Sequence, residues 1–417
     1  MRMLANSTRI LGGAFVLSLA LSAQTFTTLF NFSSQDYGAS NPSGALIVGS
    51  QGELYGSSAQ GGRWNDGTVY ELLPPASAGG QWTEVVLHSF NEPLGGSNPG
   101  PVAGPNGSLY GVSGSSAFRL DPPTGTSSQW LYTVIYDSPI GGGVPPVGYG
   151  RSLYDATYCE GTRSGDWGCG IVYGLTAPAA AGGAWTYAPL YTFAGGPQGT
   201  GASGTLAVGA GGTLFDVTEN GGYVGGFCGE LAGCGTVFSL TPPAEAGGPW
   251  NEAILHAFNP GAGDGNRPSA GLVIGPGGVL YGTTVAGGAG FASCGGGTAF
   301  SLTPPAVSGG PMTETILHEF GVSEGDGCQP STPLVLGPNG VLYGTTSAST
   351  AGTNQGTLFE LTPPASVGGS WTETILHTFN GTDGDNPIGI TVGPDGTLYG
   401  IAGGGANGVG TVFAVTP

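Results

Sequence analysis

The chain has 417 residues, 86 of them glycine, and sets 26 acidic side chains against seven arginines and no lysine, for a formal charge of −19. Such a surface repels nucleic acid and anionic lipid, and the lack of lysine excludes Schiff-base chemistry. Only 8% of residues are charged, which with this much glycine would fit disorder; the glycines instead recur at fixed places between β-branched and aromatic runs, as turns do.

Residues 1–23 read as a secretory signal. Arg2 and Arg9 supply the positive start, Ile10 to Leu21 an apolar run, and Leu21-Ser22-Ala23 a small-residue cleavage site before Gln24. The run is too short to span a bilayer comfortably, and no later stretch approaches 18 apolar residues. The expectation is an exported chain, not membrane-inserted once the signal is removed, with five arginines against 26 acids.

From Gln24 onward the sequence is one tandem array. A short phrase returns seven times, as Leu54-Tyr55-Gly56, Leu109-Tyr110-Gly111, Leu153-Tyr154-Asp155, Leu214-Phe215-Asp216, Leu280-Tyr281-Gly282, Leu342-Tyr343-Gly344 and Leu398-Tyr399-Gly400. Successive copies lie 55, 44, 61, 66, 62 and 56 residues apart. A period of this size marks a supersecondary unit that must stack on its neighbours to bury its apolar faces.

The fifth unit shows four strand-like runs: Ala270 to Ile274, Val279 to Thr284 after a Gly-Pro-x-Gly turn, Gly297 to Leu302 after a longer glycine-rich loop, and Met312 to Phe320 after Pro304-Pro305. No segment holds a 3.6-residue apolar period, so helix content should be very small. The ends are informative. Phe26 to Phe32 matches the fourth strand of a unit, and Val415-Thr416-Pro417 follows directly on a third strand. Pairing the two completes one unit and removes two open sheet edges. The prediction is an all-β, seven-bladed β-propeller over residues 24–417, with four antiparallel strands per blade and the N-terminal strand closing the ring.

The six cysteines are even in number and, in an exported chain, point to disulfides: Cys159 with Cys169, Cys228 with Cys234, and Cys294 with Cys328. Their spacing fits no zinc site. In a propeller the loop between strands two and three and the crossover between blades share one face, which places all six over blades 3 to 5.

The phrases LYGTT, GTVF-x-LTPPA and WTET-x-LH-x-F, with a DG-rich loop, resemble the GloVer tandem-repeat family of exported bacterial proteins, sometimes labelled by their choice of cell-surface anchor. The resemblance extends over about residues 25 to 417 and implies no catalytic residue set. The family's anchored members carry a sorting signal or hydrophobic tail, whereas this sequence ends on its last repeat, which makes surface attachment an unsupported expectation.

Repetition also sorts the chemistry. His88, His256, His318 and His377 occupy one position of the fourth strand, which elsewhere is Phe30, Tyr136 or Tyr191; a place that accepts Phe and Tyr asks for a flat ring rather than a proton carrier. Glu84, Glu252, Glu314 and Glu373 share another position, as do Glu71 and Glu360, and are expected as solvated stripes on outer strands. Trp82, Trp130, Trp185, Trp250 and Trp371 open the fourth strand and are expected to anchor on the Pro-Pro turn. No GxSxG elbow exists, Gly201-Ala-Ser-Gly-Thr205 being the nearest approach.

What departs from the repeat becomes the candidate site. Asp155 and Asp216 replace the glycine of the phrase, and the loops beyond them carry Tyr158, Glu160, Arg163, Asp166 and Trp167 in one repeat, Glu219 and Glu230 in the next. These nominate a ligand surface for an extracellular polysaccharide or a surface protein, without enzymatic activity. The rival is a glycan hydrolase or lyase using Asp155 and Asp216 with Glu160 or Glu219 as paired carboxyls; a third reading is a structural envelope or matrix protein. No cofactor is expected. Asp264-Gly-Asn266, Asp326-Gly327 and Asp383-Gly-Asp-Asn386 offer oxygens suited to Ca²⁺, but none follows a full calcium-loop pattern, and turn formation is the expected role.

Overall fold

Repeating four-strand units too small to bury their own faces must share them, and the computed structural model shows how. It describes residues 24–33, 35, 37–77, 79–91, 100–114, 116–125, 127–137, 146–157, 170–180, 182–222, 228, 233–245, 247–259, 263–290, 294–307, 310–350, 355–366 and 368–417. The fold is a seven-bladed β-propeller of four-stranded antiparallel sheets. Blade 1 is Ala39–Val48, Leu54–Gly61, Thr68–Leu73 and Thr83–Ser89; blade 5 is Val273–Ile274, Leu280–Thr284, Thr298–Thr303 and Thr313–Glu319. Among the described residues, helical structure is confined to short turns such as Pro276–Gly278, where the Gly-Pro-x-Gly sequence sets the bend. No helix among the described residues is long and apolar enough to cross a membrane. The proposed signal, residues 1–23, lies outside the described residues.

Ring closure follows the predicted split. Thr25–Asn31 pairs with Thr411–Thr416, with Thr25 opposite Thr416 and Asn31 opposite Thr411. This N-terminal strand carries the bulge of every fourth strand: Leu29 is skipped between Thr28 and Phe30, as Leu87 is skipped between Val86 and His88. The next backbone bond repeats too, Phe32 N–H donating to Gly410 as Phe90 N–H donates to Gly67.

The repeated glycine is required by close approach. A Cβ on Gly111 or Gly282 would lie 2.5 or 2.7 Å from the ring of Phe118 or Phe300, the residue opposite it on strand three. Buried Phe residues close the strands (Phe32, Phe90, Phe193, Phe258, Phe320 and Phe379), each contributing about 1.5–3 kcal/mol of apolar burial. The apolar clusters cross blade boundaries, one joining Phe32, Leu46 and Tyr70 to Ile401 and Val412.

The tryptophans that open the fourth strands reach across blade boundaries. Four of the five pack edge-on against the tyrosine of the preceding blade's repeated phrase: Trp130 on Tyr55, Trp185 on Tyr110, Trp250 on Tyr154 and Trp371 on Tyr281, at 5.9–6.2 Å between centroids. Where blade 5 has Met312 in place of Trp, the facing residue is Phe215 rather than Tyr, and both flank one cluster. First strands line an axial cavity of about 610 Å³ whose walls include Leu46, Val102, Leu206, Leu272 and Ile390. Glycines keep that axis narrow, since a Cβ on Gly100 would meet the backbone of Ala45.

Candidate functional site

One face of the ring carries the loops between strands two and three together with the crossovers between blades. Two predicted disulfides lie there. Cys228 is bonded to Cys234, and Cys294 to Cys328, the latter tying the blade 5 loop to the crossover into blade 6. Such bonds persist in oxidising, extracytoplasmic compartments. Tyr158, Cys159, Glu160, Arg163, Asp166, Trp167, Cys169 and Glu230 lie outside the described residues.

Asp155 and Asp216 are strand residues below this face, 2% and 0% exposed. Each faces the aromatic residue of strand three across the sheet, Tyr173 and Phe238 respectively. In blade 3 the partner is polar. The Tyr173 hydroxyl donates to Asp155 Oδ2 and the Ala156 N–H donates to Oδ1, while burial and the Asp155 charge push the Tyr173 phenol up. Phe238 has no hydroxyl to give. Neither Asp216 oxygen has a hydrogen bond of full geometry, and burial pushes its carboxyl up to about 8 even though the nearby Val217 and Gly204 N–H groups favour the anion. Glu219 is held by Arg267 of the next crossover, whose Nε lies 3.0 Å away. The structure thus brings Glu219 to the face but encloses Asp155 and Asp216.

The histidine and glutamate positions meet across blade boundaries, which corrects the expectation of solvated glutamate stripes. The side chains of Glu314 and Glu373 are only 18% and 13% exposed. Six of the outer strands set their His-position residue against the Glu-position residue of the next blade. His88 stacks on Tyr132 at 3.9 Å, Tyr136 on Tyr187 at 5.0 Å and His377 on Phe26 at 3.6 Å. Burial pulls His88 down to about 4 and leaves His377 below its usual value. Two boundaries differ. His256 Nε2 lies 3.0 Å from Asp264 and 3.5 Å from Glu314; His318 Nε2 lies 3.4 Å from Asp326 and 3.5 Å from Glu373. At these two, the carboxylates outweigh burial and hold both imidazoles above their usual value. Burial, with the neighbouring aspartate, pushes Glu314 and Glu373 up to about 7.

Asp264, Asp326 and Asp383 also close their crossovers, accepting from the N–H groups of Asn259, Val322 and Asn380. The turn-forming role expected of Asp-Gly is therefore visible.

Blade 1 presents a surface that the repeat comparison passed over. Tyr37 and Trp64 are 68% and 46% exposed, on the crossover and the 61–67 loop, which are joined by the Gly62 N–H to Gly38 carbonyl bond. The Arg63 guanidinium lies 5.2 Å from the Trp64 ring centroid. A groove of about 840 Å³ leads from Arg63 and Trp64 along Val85 and Leu87 to Gln129 and Trp130. The signal was present in the sequence: Trp64 and Trp167 are the two tryptophans that do not open a fourth strand.

Polar residues ring the same face. Asn41, Arg267, Gln329 and Asn386 each precede a proline and have φ of 52, 57, 58 and 43°. Their N–H groups donate to Val409, Cys234, Gly296 and Gln355 in the loop of the preceding blade, and three of the four side chains are exposed. For Arg and Gln this left-handed backbone costs roughly 1–2 kcal/mol.

A family model matches the last blades. Residues 227–417 carry the Gloeobacter/Verrucomicrobia repeat. No protein of curated function matches the sequence. Among solved structures, a streptogramin B lyase aligns with a TM-score of 0.54 at 13% identity, covering 94% of this chain and 97% of its own. The extracellular domain of a putative one-component system of B. thetaiotaomicron gives 0.56 at 11% identity, over 93% of this chain and 39% of that one. PorZ, a surface component of the type-IX secretion system of Porphyromonas gingivalis, gives 0.50 at 13%, over 90% and 46%. At such identities the likeness to this repeat protein is one of fold.

Proposed function

We propose that this β-propeller acts outside the cytoplasm as a non-enzymatic binding module for a neutral extracellular polysaccharide, held by its loop-bearing face. The observation that carries the reading is the exposed indole of Trp64 at the mouth of the blade 1 groove. Its flat apolar ring, fixed from one side by Arg63, suits the C–H face of a sugar. Tyr37 stands on the adjoining crossover, and the amides of Asn41 and Gln60, bonded to each other at 2.8 Å, offer donors and acceptors for hydroxyls. The chain's charge of −19 disfavours an anionic polymer. For the cleaving alternative, the described carboxyls of blades 3 and 4 offer little support: Asp155 and Asp216 are enclosed and Glu219 is engaged by Arg267.

The test is retention of the purified protein in native gels cast with neutral polysaccharides, with reducing ends assayed in parallel. Retention without release is expected, and Trp64→Ala should weaken it about tenfold, as loss of one stacking aromatic does when roughly 1.4 kcal/mol is involved. Release of reducing ends, or retention indifferent to Trp64→Ala, would overturn the assignment. Binding of a surface protein with no glycan retention would move the partner class.

A further inference from the structure

The two His-Asp-Glu clusters differ in kind from the other blade boundaries. In each, ligand-type atoms of three side chains lie within 4.8 Å of one another: His256, Asp264 and Glu314 between blades 4 and 5, and His318, Asp326 and Glu373 between blades 5 and 6. The imidazole-to-carboxylate distances are 3.0 and 3.5 Å in one, 3.4 and 3.5 Å in the other. Bonds of about 2.0–2.2 Å to a tetrahedral ion place its donors about 3.3–3.5 Å apart. The remaining oxygens, Glu314 Oε1 and Glu373 Oε1, are buried and make no hydrogen bond of full geometry, while the two carboxyl groups lie close to those of Asp264 and Asp326. Facing carboxyl groups in so enclosed a place need a proton or a cation between them.

The chain contains its own comparison. Where the Glu position holds an aromatic residue, as at Phe26 and Tyr132, the histidine stacks flat on that ring. Among the described residues, donors converge only where Glu is present together with the crossover Asp, and this happens at two boundaries with the same three residue types.

We propose that these clusters are two divalent transition-metal sites suited to Zn²⁺, each coordinated by one imidazole and two carboxylates with water completing the shell. Imidazole favours Zn²⁺ over Ca²⁺ or Mg²⁺, and three protein ligands leave one position open. Each ion joins the outer strands of two adjacent blades, in the sector that also holds the Cys228–Cys234 and Cys294–Cys328 bonds. The inference is independent of the glycan reading.

Calorimetric titration of chelator-stripped protein with ZnCl₂ tests it, with Co²⁺ absorption in the visible as a second readout. Two ions per chain are expected. Glu314→Gln and Glu373→Gln should each weaken one site at least tenfold and reduce the Co²⁺ bands, whereas His377→Phe should leave the stoichiometry at two. Should a glutamine variant misfold, His256→Tyr removes the same site while copying the pairing found between Tyr191 and Glu252. Failure of the stripped protein to take up either ion, or uptake unchanged in the folded double variant, would overturn the assignment.

Discussion

Asp216→Gly should change the sign of its effect on stability with pH. Asp216 is fully buried, and burial holds its carboxyl near 8 in the folded state, against about 3.9 when unfolded. Between these values the native state keeps a proton that the unfolded chain loses, so stability falls as pH rises through the window. At pH 7 the three units above 3.9, at about 1.4 kcal/mol each, amount to about 4 kcal/mol of destabilisation. The cost vanishes below pH 4 and levels off above pH 8. Glycine is the residue of five other blades at this place, and Phe238 is already the ring that would cover it. In a strand, glycine costs about 0.5–1 kcal/mol. With an unfolding entropy of about 2.1 cal/mol/K per residue, 3–4 kcal/mol corresponds to roughly 4–5 °C for a domain of about 390 residues. The variant should thus melt about 4–5 °C above the parent at pH 7 and about 1 °C below it at pH 4, by scanning calorimetry. An equal offset at both pH values would refute the buried-carboxyl argument.

Deleting residues 24–32 leaves Thr411–Thr416 without its partner strand and removes the buried Phe32. With Phe26, Leu29 and Phe30 lost as well, about 6–10 kcal/mol of apolar burial disappears, lowering Tm by roughly 10 °C; size-exclusion chromatography should show self-association through the open edge, and an unchanged monomer would count against ring closure. Trp371→Ala should cost about 3 kcal/mol through its loss of packing on Tyr281. Tyr281→Ala in the same background should cost less than it does alone; strict additivity would mean the two rings do not share an interface.

Much of the fold was legible because repetition acts as an internal alignment. The seven Leu-Tyr-Gly phrases located the second strands, and the orphan strand at Phe26 to Phe32 disclosed how the ring closes. The Cys228–Cys234 pairing followed from proximity, and Cys294–Cys328 from an even number that left those two over. The same comparison misjudged the glutamates. It compared Glu314 only with equivalents such as Glu252 and Glu373, whereas its physical partner is His256, at another repeat position and in another blade. For the same reason the contact of Trp371 with Tyr281 of the preceding blade is invisible to a comparison of like positions.

By itself, then, the sequence determined the unit, the number of copies, the strand pattern within each and the closure of the ring. These depend on local turn chemistry and on alternation along a strand, which neighbours in the chain set directly. Only the tertiary structure decided what each repeated side chain touches. Stacking brings residues some sixty positions apart within hydrogen-bonding distance, and burial then sets their charge: His88 against a ring and His256 between two carboxyls. It also decided that Asp155 finds a hydroxyl while Asp216 does not, because the residue across the sheet is Tyr173 in one blade and Phe238 in the next.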